Sequence, residues 1–203
     1  MRLFLSLWLL VYTVDILAQS PDIELLKSIH VERNQQWDGT ARFISSTEYA
    51  IGFGLPLGVC AASWMKRDPE LFKKGVNMSL ALALNTASTF IFKRIVNRPR
   101  PAQTYSFISP LEYERNYSFP SGHTSNAFVT ATSLSLQFKK WYVVVPAHLW
   151  AGAVAYSRLH MGVHYPSDVL AGAVLGSASA LATYKVNQWI HRKYAKKYWT
   201  KWF

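Results

Sequence analysis

The polar stretch at residues 157–168 lies between two apolar segments and carries side chains suited to nucleophilic chemistry. His164 and Asp168 are four residues apart, about one helical turn, so the carboxylate could accept a hydrogen bond from one imidazole nitrogen. Such a bond fixes the tautomer and leaves the other ring nitrogen free to attack an electrophile. An ordinary helix start, with Asp168 or Ser167 as the N-cap after Pro166, explains the same residues. The pair by itself leaves both interpretations open.

A second polar group opens another apolar run and consists of Pro120, Ser121, Gly122 and His123. The first backbone N–H groups of a helix have no partner within the helix, and together with the helix dipole they favour an anion. A simple N-cap at Ser121 or Thr124 is the alternative. The pattern by itself leaves open both an ordinary capped helix and a helix start that holds an anion, and caps are the commoner of the two.

A third group, KRIVNRPRP at residues 93–101, is basic. Arg98 and Arg100 each precede a proline, which disfavours helical backbone and favours an extended chain. Arginines on stiff backbone suit bidentate contact with phosphate oxygens, and Lys93 on the last turn of the preceding helix would add a point charge. A basic membrane anchor would have the same composition.

Together the three groups supply what phosphoryl transfer requires. Cationic side chains hold the phosphate oxygens, one imidazole attacks phosphorus, and a second imidazole protonates the departing oxygen. This chemistry needs all three groups in one place, so the elements between them must bring the polar loops together.

The elements that would position these loops are helices. The chain has 203 residues, enough for one domain; half are hydrophobic and 16% are charged, below the usual quarter. A membrane-spanning helix needs about 20 mostly apolar residues, with a lower limit of about 17. A soluble bundle with long buried helices is the alternative, given a mean hydropathy of +0.04. We predict an all-α bundle of five core helices that span a membrane, from the uncharged runs at 49–65, 75–92, 116–138, 141–157 and 169–184.

The basic residues indicate which way such a bundle would face. The chain has 22 Lys+Arg against 11 Asp+Glu, a balance that nucleic-acid binding would also explain. If the runs span a membrane, however, the basic clusters at 66–74, at 139–140 and in the tail from residue 185 all fall on one side. The positive-inside rule makes that side cytoplasmic. The polar loops at 93–123 and 157–168 then lie together on the opposite side, and we expect no nucleic-acid partner.

The N-terminal part has its own signals. Residues 1–18 have a basic start and an apolar stretch, typical of a cleaved secretory signal; a retained first transmembrane helix has the same features. Residues 19–203 are predicted to be a single helical domain with its core at 48–186. Helical spacing at its start predicts a surface helix that lies along the membrane interface or caps the bundle and ends at WDGT, residues 37–40.

The three polar groups resemble the motifs of the type 2 phosphatidic acid phosphatase and vanadium haloperoxidase superfamily. That family carries Lys-x6-Arg-Pro, Pro-Ser-Gly-His and Ser-Arg-x5-His-x3-Asp. The six-residue gap of the first motif selects Arg100 over Arg98, and the resemblance covers residues 93 to 168. The matching segments are Lys93–Pro101, Pro120–His123 and Ser157–Asp168.

The resemblance implies a role for each matching position. His164 would be the nucleophile and form a phosphohistidine, with Asp168 orienting it. His123 would be the general acid for the leaving group and then the base for water. The phosphate would be bound by Lys93, Arg100, Arg158, Ser121 and the Gly122 backbone N–H.

The resemblance implies neither cofactor nor metal, because the bound cations would do a metal's electrostatic work. The sequence also offers no carboxylate cluster for Mg²⁺. The polar residues outside the motifs are expected to be packing or rim residues; they are Arg98, His148 and His160.

The implied function is a membrane phosphatase that acts on a lipid phosphate or pyrophosphate, in a bacterial inner membrane with its site facing the periplasm. A soluble periplasmic acid phosphatase of the same superfamily is the alternative; it would be extracted without detergent and would act equally on water-soluble phosphomonoesters. A vanadium haloperoxidase and an inactive lipid-binding scaffold are further alternatives, since a fold does not fix a function.

Overall fold

The computed structural model describes residues 21–198, so the predicted signal or first transmembrane helix at 1–18 lies outside the described residues. The described part is helical and contains no strand, and its five long helices confirm the predicted all-α bundle. Its elements are helix α1 at 21–30, a 3₁₀ turn at Gln35–Trp37, α2 Asp38–Lys66, α3 Pro69–Val96, α4 Pro101–Thr104, α5 Gly122–Phe138, α6 Trp141–His160 and α7 Pro166–Tyr198.

The turn between α2 and α3 is set by the residues that end one helix and begin the next. Arg67 adopts left-handed backbone (φ 51°) and ends α2. The next residue, Asp68, starts α3: its carboxylate accepts hydrogen bonds from the backbone of Glu70 and Leu71, with Pro69 at the first helical position. This short turn makes α2 and α3 antiparallel neighbours.

Helix α5 lies at the centre and contacts each of the other four long helices. Small residues allow its closest approach, to α7. A Cβ on Gly172 would lie 2.6 Å from the Ser121 carbonyl oxygen, and one on Gly176 would lie 2.2 Å from the Ser125 carbonyl oxygen. Glycine at these two positions therefore lets the helix backbones touch, which brings the start of α5 against the start of α7.

The outer surface of the bundle is strongly apolar. Two helical segments of the described chain are long and apolar enough to cross a membrane, Pro69–Thr104 and Pro166–Ile190. The interior between the helices is instead rich in alanine, serine, threonine and asparagine. Large side chains that point outward from α2 and α3 include Phe53, Leu57, Leu80, Leu84, Phe90 and Ile91. An apolar outer face of this extent is typical of a surface that contacts lipid or another protein.

The basic clusters and the polar loops lie at opposite ends of the bundle. Near the α2–α3 turn, Lys74 Nζ lies 5.1 Å from the ring centroid of Phe138, at the end of α5. Lys73 of α3 and Arg192 of α7 line one cavity at this end. The other ends of the same helices carry the loops at 97–121 and 161–165, as the alternation of the predicted runs requires.

Helix α1 caps the end of the bundle that carries the polar loops. Leu26 is fully buried against Ile108, Leu159 and Tyr165, which matches the capping alternative for the predicted surface helix. The prediction that this helix ends at WDGT was wrong, because α1 ends at residue 30 and residues 38–40 begin α2. An acidic residue there, Asp38, suits the positive end of the α2 dipole.

Candidate active site

The residues predicted to form the site lie together at one end of the bundle. The extended segment after α3, the start of α5, the last turn of α6, the loop at 161–165 and the first turn of α7 all converge there. The Ser121 backbone N–H donates to the carbonyl of Asp168 (3.0 Å) and so joins α5 to α7. The eight predicted site residues are Lys93, Arg100, Ser121, Gly122, His123, Arg158, His164 and Asp168.

The imidazole of His164 is held between an acid and a cation. Its Nδ1 lies 3.4 Å from Asp168 Oδ2, and its Nε2 lies 3.3 Å from Arg100 Nη1. An arginine can only donate hydrogen bonds, so Nε2 is the acceptor and Nδ1 carries the proton. The lone pair of Nε2 therefore faces the guanidinium group of Arg100.

Burial lowers the pKa of His164 to about 4, because a charged imidazolium would be poorly solvated there. The hydrogen bond to Asp168 opposes this shift, and the positive charge of Arg100 adds to it. The ring is neutral at neutral pH as a result, which is the form that a nitrogen nucleophile requires.

The carboxylate of Asp168 is fixed on all sides. It is fully buried, and Oδ2 accepts hydrogen bonds from the backbone N–H of Tyr165 (3.0 Å) and from Ser118 Oγ (2.5 Å). Ser118 Oγ also lies 3.4 Å from His164 Nδ1. Ser118 belongs to none of the predicted groups, yet its hydroxyl touches both members of the histidine–aspartate pair.

Arg98 is not the packing or rim residue that the sequence indicated. Its Nη1 donates to Asp168 Oδ1 (2.7 Å) and its Nη2 to Asp22 Oδ2 (2.7 Å), while the guanidinium lies 3.8 Å from the ring centroid of Tyr165. The chain is extended at Arg100 (ψ 157°), and side chains two residues apart on this stiff Arg-Pro segment reach different partners. Arg98 therefore anchors Asp168 to α1, and Arg100 reaches His164.

The guanidinium of Arg100 is buried and fully engaged. Its Nε donates to the carbonyl of Asn116 (2.8 Å), and Nη1 donates to the carbonyl of Val163 (2.8 Å) as well as facing His164. Its Nη2 donates to Glu114 Oε2 (2.6 Å) and to Asn116 Oδ1 (2.5 Å). The loop before α5 thus supplies most of the partners of this arginine.

The other cations of the site contact the same loop. Arg158 is fully buried; its Nη1 donates to Ser45 Oγ (2.6 Å) and its Nη2 to Glu114 Oε1. The Nζ of Lys93 donates to the carbonyl of Tyr117. Burial alone would raise the pKa of Glu114, but the charges of Arg158 and Arg100 outweigh that effect and lower the pKa to about 2. Glu114 is therefore ionised at neutral pH.

The start of α5 has no side-chain cap. Ser121 occupies the N-cap position, but its side chain makes no capping hydrogen bond; its Oγ lies 2.9 Å from Thr124 Oγ1 instead. The first N–H groups of the helix, including that of Gly122, have no partner within the helix. An uncapped helix start of this kind has the free donors that an anion requires.

His123 faces open space, unlike His164. Its ring packs edge-on against Tyr49, with centroids 5.1 Å apart. It also lines a cavity of about 430 Å³ between α2 and the loop at 105–121, together with Arg42, Ser46 and Glu112. This cavity leaves room for a bound group beside the His123 ring.

His148 and His160, which were predicted to be packing or rim residues, both have structural partners. His160 Nε2 lies 2.8 Å from Asp38 Oδ1, at the junction between α6 and the start of α2. His148 Nδ1 lies 3.0 Å from the carbonyl of Val144, one turn earlier in α6.

The fold and the motif positions identify a family. The sequence model of the PAP2 superfamily matches residues 74–192, and the chain belongs to that superfamily. The chain is 33% identical to a lipid A 4′-phosphatase of Bacteroides thetaiotaomicron over 107 residues, which cover 50% of this chain and 47% of the relative. It therefore spans about half the length of that curated relative.

Two further proteins match over most of the chain. An undecaprenyl-diphosphatase of Bacillus subtilis is 26% identical over 75% of this chain and 77% of the relative. The crystal structure of a transmembrane PAP2-type phosphatidylglycerolphosphate phosphatase from Bacillus subtilis superposes with a TM-score of 0.76. It is 26% identical and covers 94% of this chain and 96% of that one. Family membership and the two long apolar helices together indicate a membrane location.

Proposed function

We propose that this protein is a membrane phosphatase that hydrolyses a lipid phosphate or pyrophosphate through a phosphohistidine. The observation that carries the proposal is the state of His164. Its ring is neutral, Asp168 holds the proton on Nδ1, and the Nε2 lone pair points at a cation that an incoming phosphate would also contact.

The phosphate would be bound by charge and by open backbone donors. The side chains of Lys93, Arg100 and Arg158 supply positive charge, and the N–H groups at the start of α5 supply further donors. In other phosphoryl-transfer enzymes a metal ion often supplies part of this charge. A dianion in this position would also favour the protonated form of His123, which the first step requires.

In the first step the lone pair of His164 Nε2 forms a bond to phosphorus while the bond from phosphorus to the leaving oxygen breaks. His123 gives its proton to that oxygen, and the product alcohol or lipid phosphate leaves through the adjacent cavity. The positive charge that develops on the His164 ring is stabilised by Asp168, through the proton on Nδ1.

In the second step His123, now neutral, takes a proton from a water molecule. The water oxygen forms a bond to phosphorus, and the N–P bond breaks with its electron pair returning to His164 Nε2. Inorganic phosphate is released, and both histidines regain their starting protonation states.

The location of the site favours a lipid substrate over a soluble one. The cavity at His123 opens at the end of a bundle whose sides are apolar, so a headgroup could reach the site while its tails stay in the membrane. The relatives named above act on lipid A, undecaprenyl diphosphate and phosphatidylglycerolphosphate. A lipid phosphate or diphosphate is the substrate class that these observations support.

The orientation in the membrane is part of the proposal. The basic ends of α2, α5 and α7 would face the cytoplasm, since positively charged loops are retained on that side. The site would then face the periplasm of a bacterial inner membrane. Residues 19–203 would form one phosphatase domain, and residues 1–18 would act as a signal or as a first transmembrane helix.

The decisive experiment is phosphate release by detergent-purified protein with a chelator present. The substrates are undecaprenyl diphosphate, phosphatidylglycerolphosphate, phosphatidic acid and a water-soluble aryl phosphate. We expect release from at least one lipid, at a rate well above that for the aryl phosphate. Equal rates for the lipids and the aryl phosphate would support the acid-phosphatase alternative instead.

The nucleophile is tested by His164→Ala, with His148→Ala as the matched control. His164→Ala should reduce the rate at least about 10³-fold, because the variant lacks the proposed nucleophile. His148→Ala should retain near-normal activity, since that histidine bonds within its own helix. Activity within tenfold of the unmodified protein in His164→Ala would contradict the phosphohistidine mechanism.

A further inference from the structure

Glu114 makes the contacts that a bound phosphate would be expected to make. Its two carboxylate oxygens each accept a hydrogen bond from a different guanidinium group, Oε2 from Arg100 (2.6 Å) and Oε1 from Arg158. A phosphate with two oxygens toward the same arginines would present similar acceptors at similar spacing. The carboxylate and a substrate phosphate would therefore compete for these donors.

Arg100 has no spare donor with which to bind both anions. A guanidinium carries five N–H groups. In Arg100 they are directed at two oxygens of Asn116, the carbonyl of Val163, His164 Nε2 and Glu114. Phosphate can bind the Nη2 side of Arg100 only if one of these partners gives way, and Glu114 is the partner that carries a negative charge.

Arg158, unlike Arg100, still has an unused donor within the described part of the chain. It is fully buried, its Nη1 bonds Ser45, and its Nη2 bonds Glu114. Its Nε has no hydrogen-bond partner among the described residues. A buried guanidinium with an unused donor gains from an anion that offers more acceptor oxygens than a carboxylate does.

The place of Glu114 in the chain allows it to move away. It lies in the loop at 105–121, outside any helix, and its side chain is 18% exposed whereas that of Arg158 is 0% exposed. Glu112, two residues earlier, lies 3.7 Å from Arg158 Nη1 and lines the open cavity beside His123. A small movement would therefore bring the Glu114 carboxylate into solvent, whereas the guanidinium groups of Arg100 and Arg158 stay buried.

We infer that Glu114 is an internal competitor for phosphate, which pairs with Arg100 and Arg158 in the empty site and is displaced when phosphate binds. The inference rests on the proposed function, since it concerns the same phosphate site. This competition would weaken the binding of the product, inorganic phosphate. As phosphate leaves, the Glu114 carboxylate would pair again with Arg100 and Arg158. Without phosphate, the Glu114 carboxylate holds the buried, positively charged guanidinium groups of Arg100 and Arg158 close together.

The inference is tested by the binding of inorganic phosphate to the detergent-purified protein, measured by titration calorimetry. Glu114→Gln keeps the size of the side chain and removes its charge, so phosphate should bind about tenfold more tightly than to the unmodified protein. The inhibition constant of phosphate against lipid hydrolysis should fall by a similar factor. Glu70→Gln, which removes a carboxylate paired with Lys73 at the opposite end of the bundle, is the matched control and should leave phosphate binding unchanged.

Unchanged or weaker binding in Glu114→Gln would overturn the inference, and weaker binding would show a clamp that holds the arginines in place. If this variant does not fold, Glu114→Asp serves in its place: the charge is kept but the carboxylate is drawn back by one methylene, so binding should again become tighter. Failure of the inference is distinguishable from failure of the proposed function. Lipid hydrolysis by the unmodified protein tests the function, whereas tighter phosphate binding in the variant tests the competition.

Discussion

Arg98 and Arg100 have nearly the same local sequence but pair with carboxylates from different parts of the fold. Each is followed by a proline on one extended segment after α3. Arg98 is paired with Asp22 and Asp168 and lies on the side of α1 and α7, where its positive charge is balanced by two carboxylates. Arg100 faces His164 and is balanced by Glu114 from a loop. Arg98 is therefore a structural anchor held by Asp22 and Asp168. Arg100 is instead a phosphate-binding candidate, and its partner Glu114 is the one that we infer phosphate displaces.

The comparison predicts the largest loss of activity for Arg100→Ala. This change removes a cation that would contact the transferring phosphate, so kcat/KM should fall about 10³-fold. Arg94→Ala is the matched control, because Arg94 lies over Phe90 on the outer face of α3. Steady-state kinetics with the preferred lipid provide the measurement. A loss of less than tenfold in Arg100→Ala would show that the side of the segment facing His164 does not bind the reacting group.

Arg98→Ala should act through position and not through contact with phosphate. Asp168 loses one of its partners, so kcat should fall by about 10- to 100-fold while KM changes little. Removing this positive charge also favours the protonated form of His164, whose pKa of about 4 should rise. Protonated His164 has no free lone pair, so activity is lost as the pH falls through that pKa. The acid limb of the pH–rate profile should therefore move to higher pH in this variant.

Arg98→Lys separates a positioning role from simple damage to the fold. Lysine keeps the charge near Asp168, so the acid limb should return toward its position in the unmodified protein, although the bond to Asp22 is weakened. A variant that is inactive with an unshifted acid limb would argue against a link from Arg98 through Asp168 to His164.

The spacing within each motif allowed much of the site to be predicted from the sequence. His164 and Asp168 are separated by one helical turn, and the Pro-Ser-Gly-His group begins a helix, so local geometry limits where these side chains can lie. The apolar runs also predicted five long helices, with the basic clusters at one end. The bundle was predictable because hydrophobic patterns and charge placement act over the whole length of a helix.

The partners of the two arginines were not predictable in the same way. Glu114, Asn116 and Ser118 lie in a loop that has no periodic pattern, and their contacts depend on how the loop folds over the site. Asp22 bonds Ser167, a residue far along the chain, and no local signal records that contact. For the same reason the sequence could not distinguish Arg98 from a rim residue, since its two carboxylate partners come from α1 and α7.

The smallest of these effects is expected for Asp22→Asn, which weakens the outer partner of Arg98 and leaves Asp168 intact. Asp22 accepts hydrogen bonds from the Ser167 backbone (2.8 Å), from the Ser167 hydroxyl and from Arg98, and it is almost fully buried. Asparagine keeps one acceptor oxygen but loses the charge that balances Arg98, so the thermal midpoint in detergent should fall by a few degrees, as expected for about 1–2 kcal/mol. Activity should fall only severalfold, with the acid limb unchanged, because Arg98 can still donate to Asp168. A loss as large as that of Arg98→Ala would mean that α1 holds Arg98 in place, and that the anchor of Asp168 begins at the N-terminal cap of the bundle.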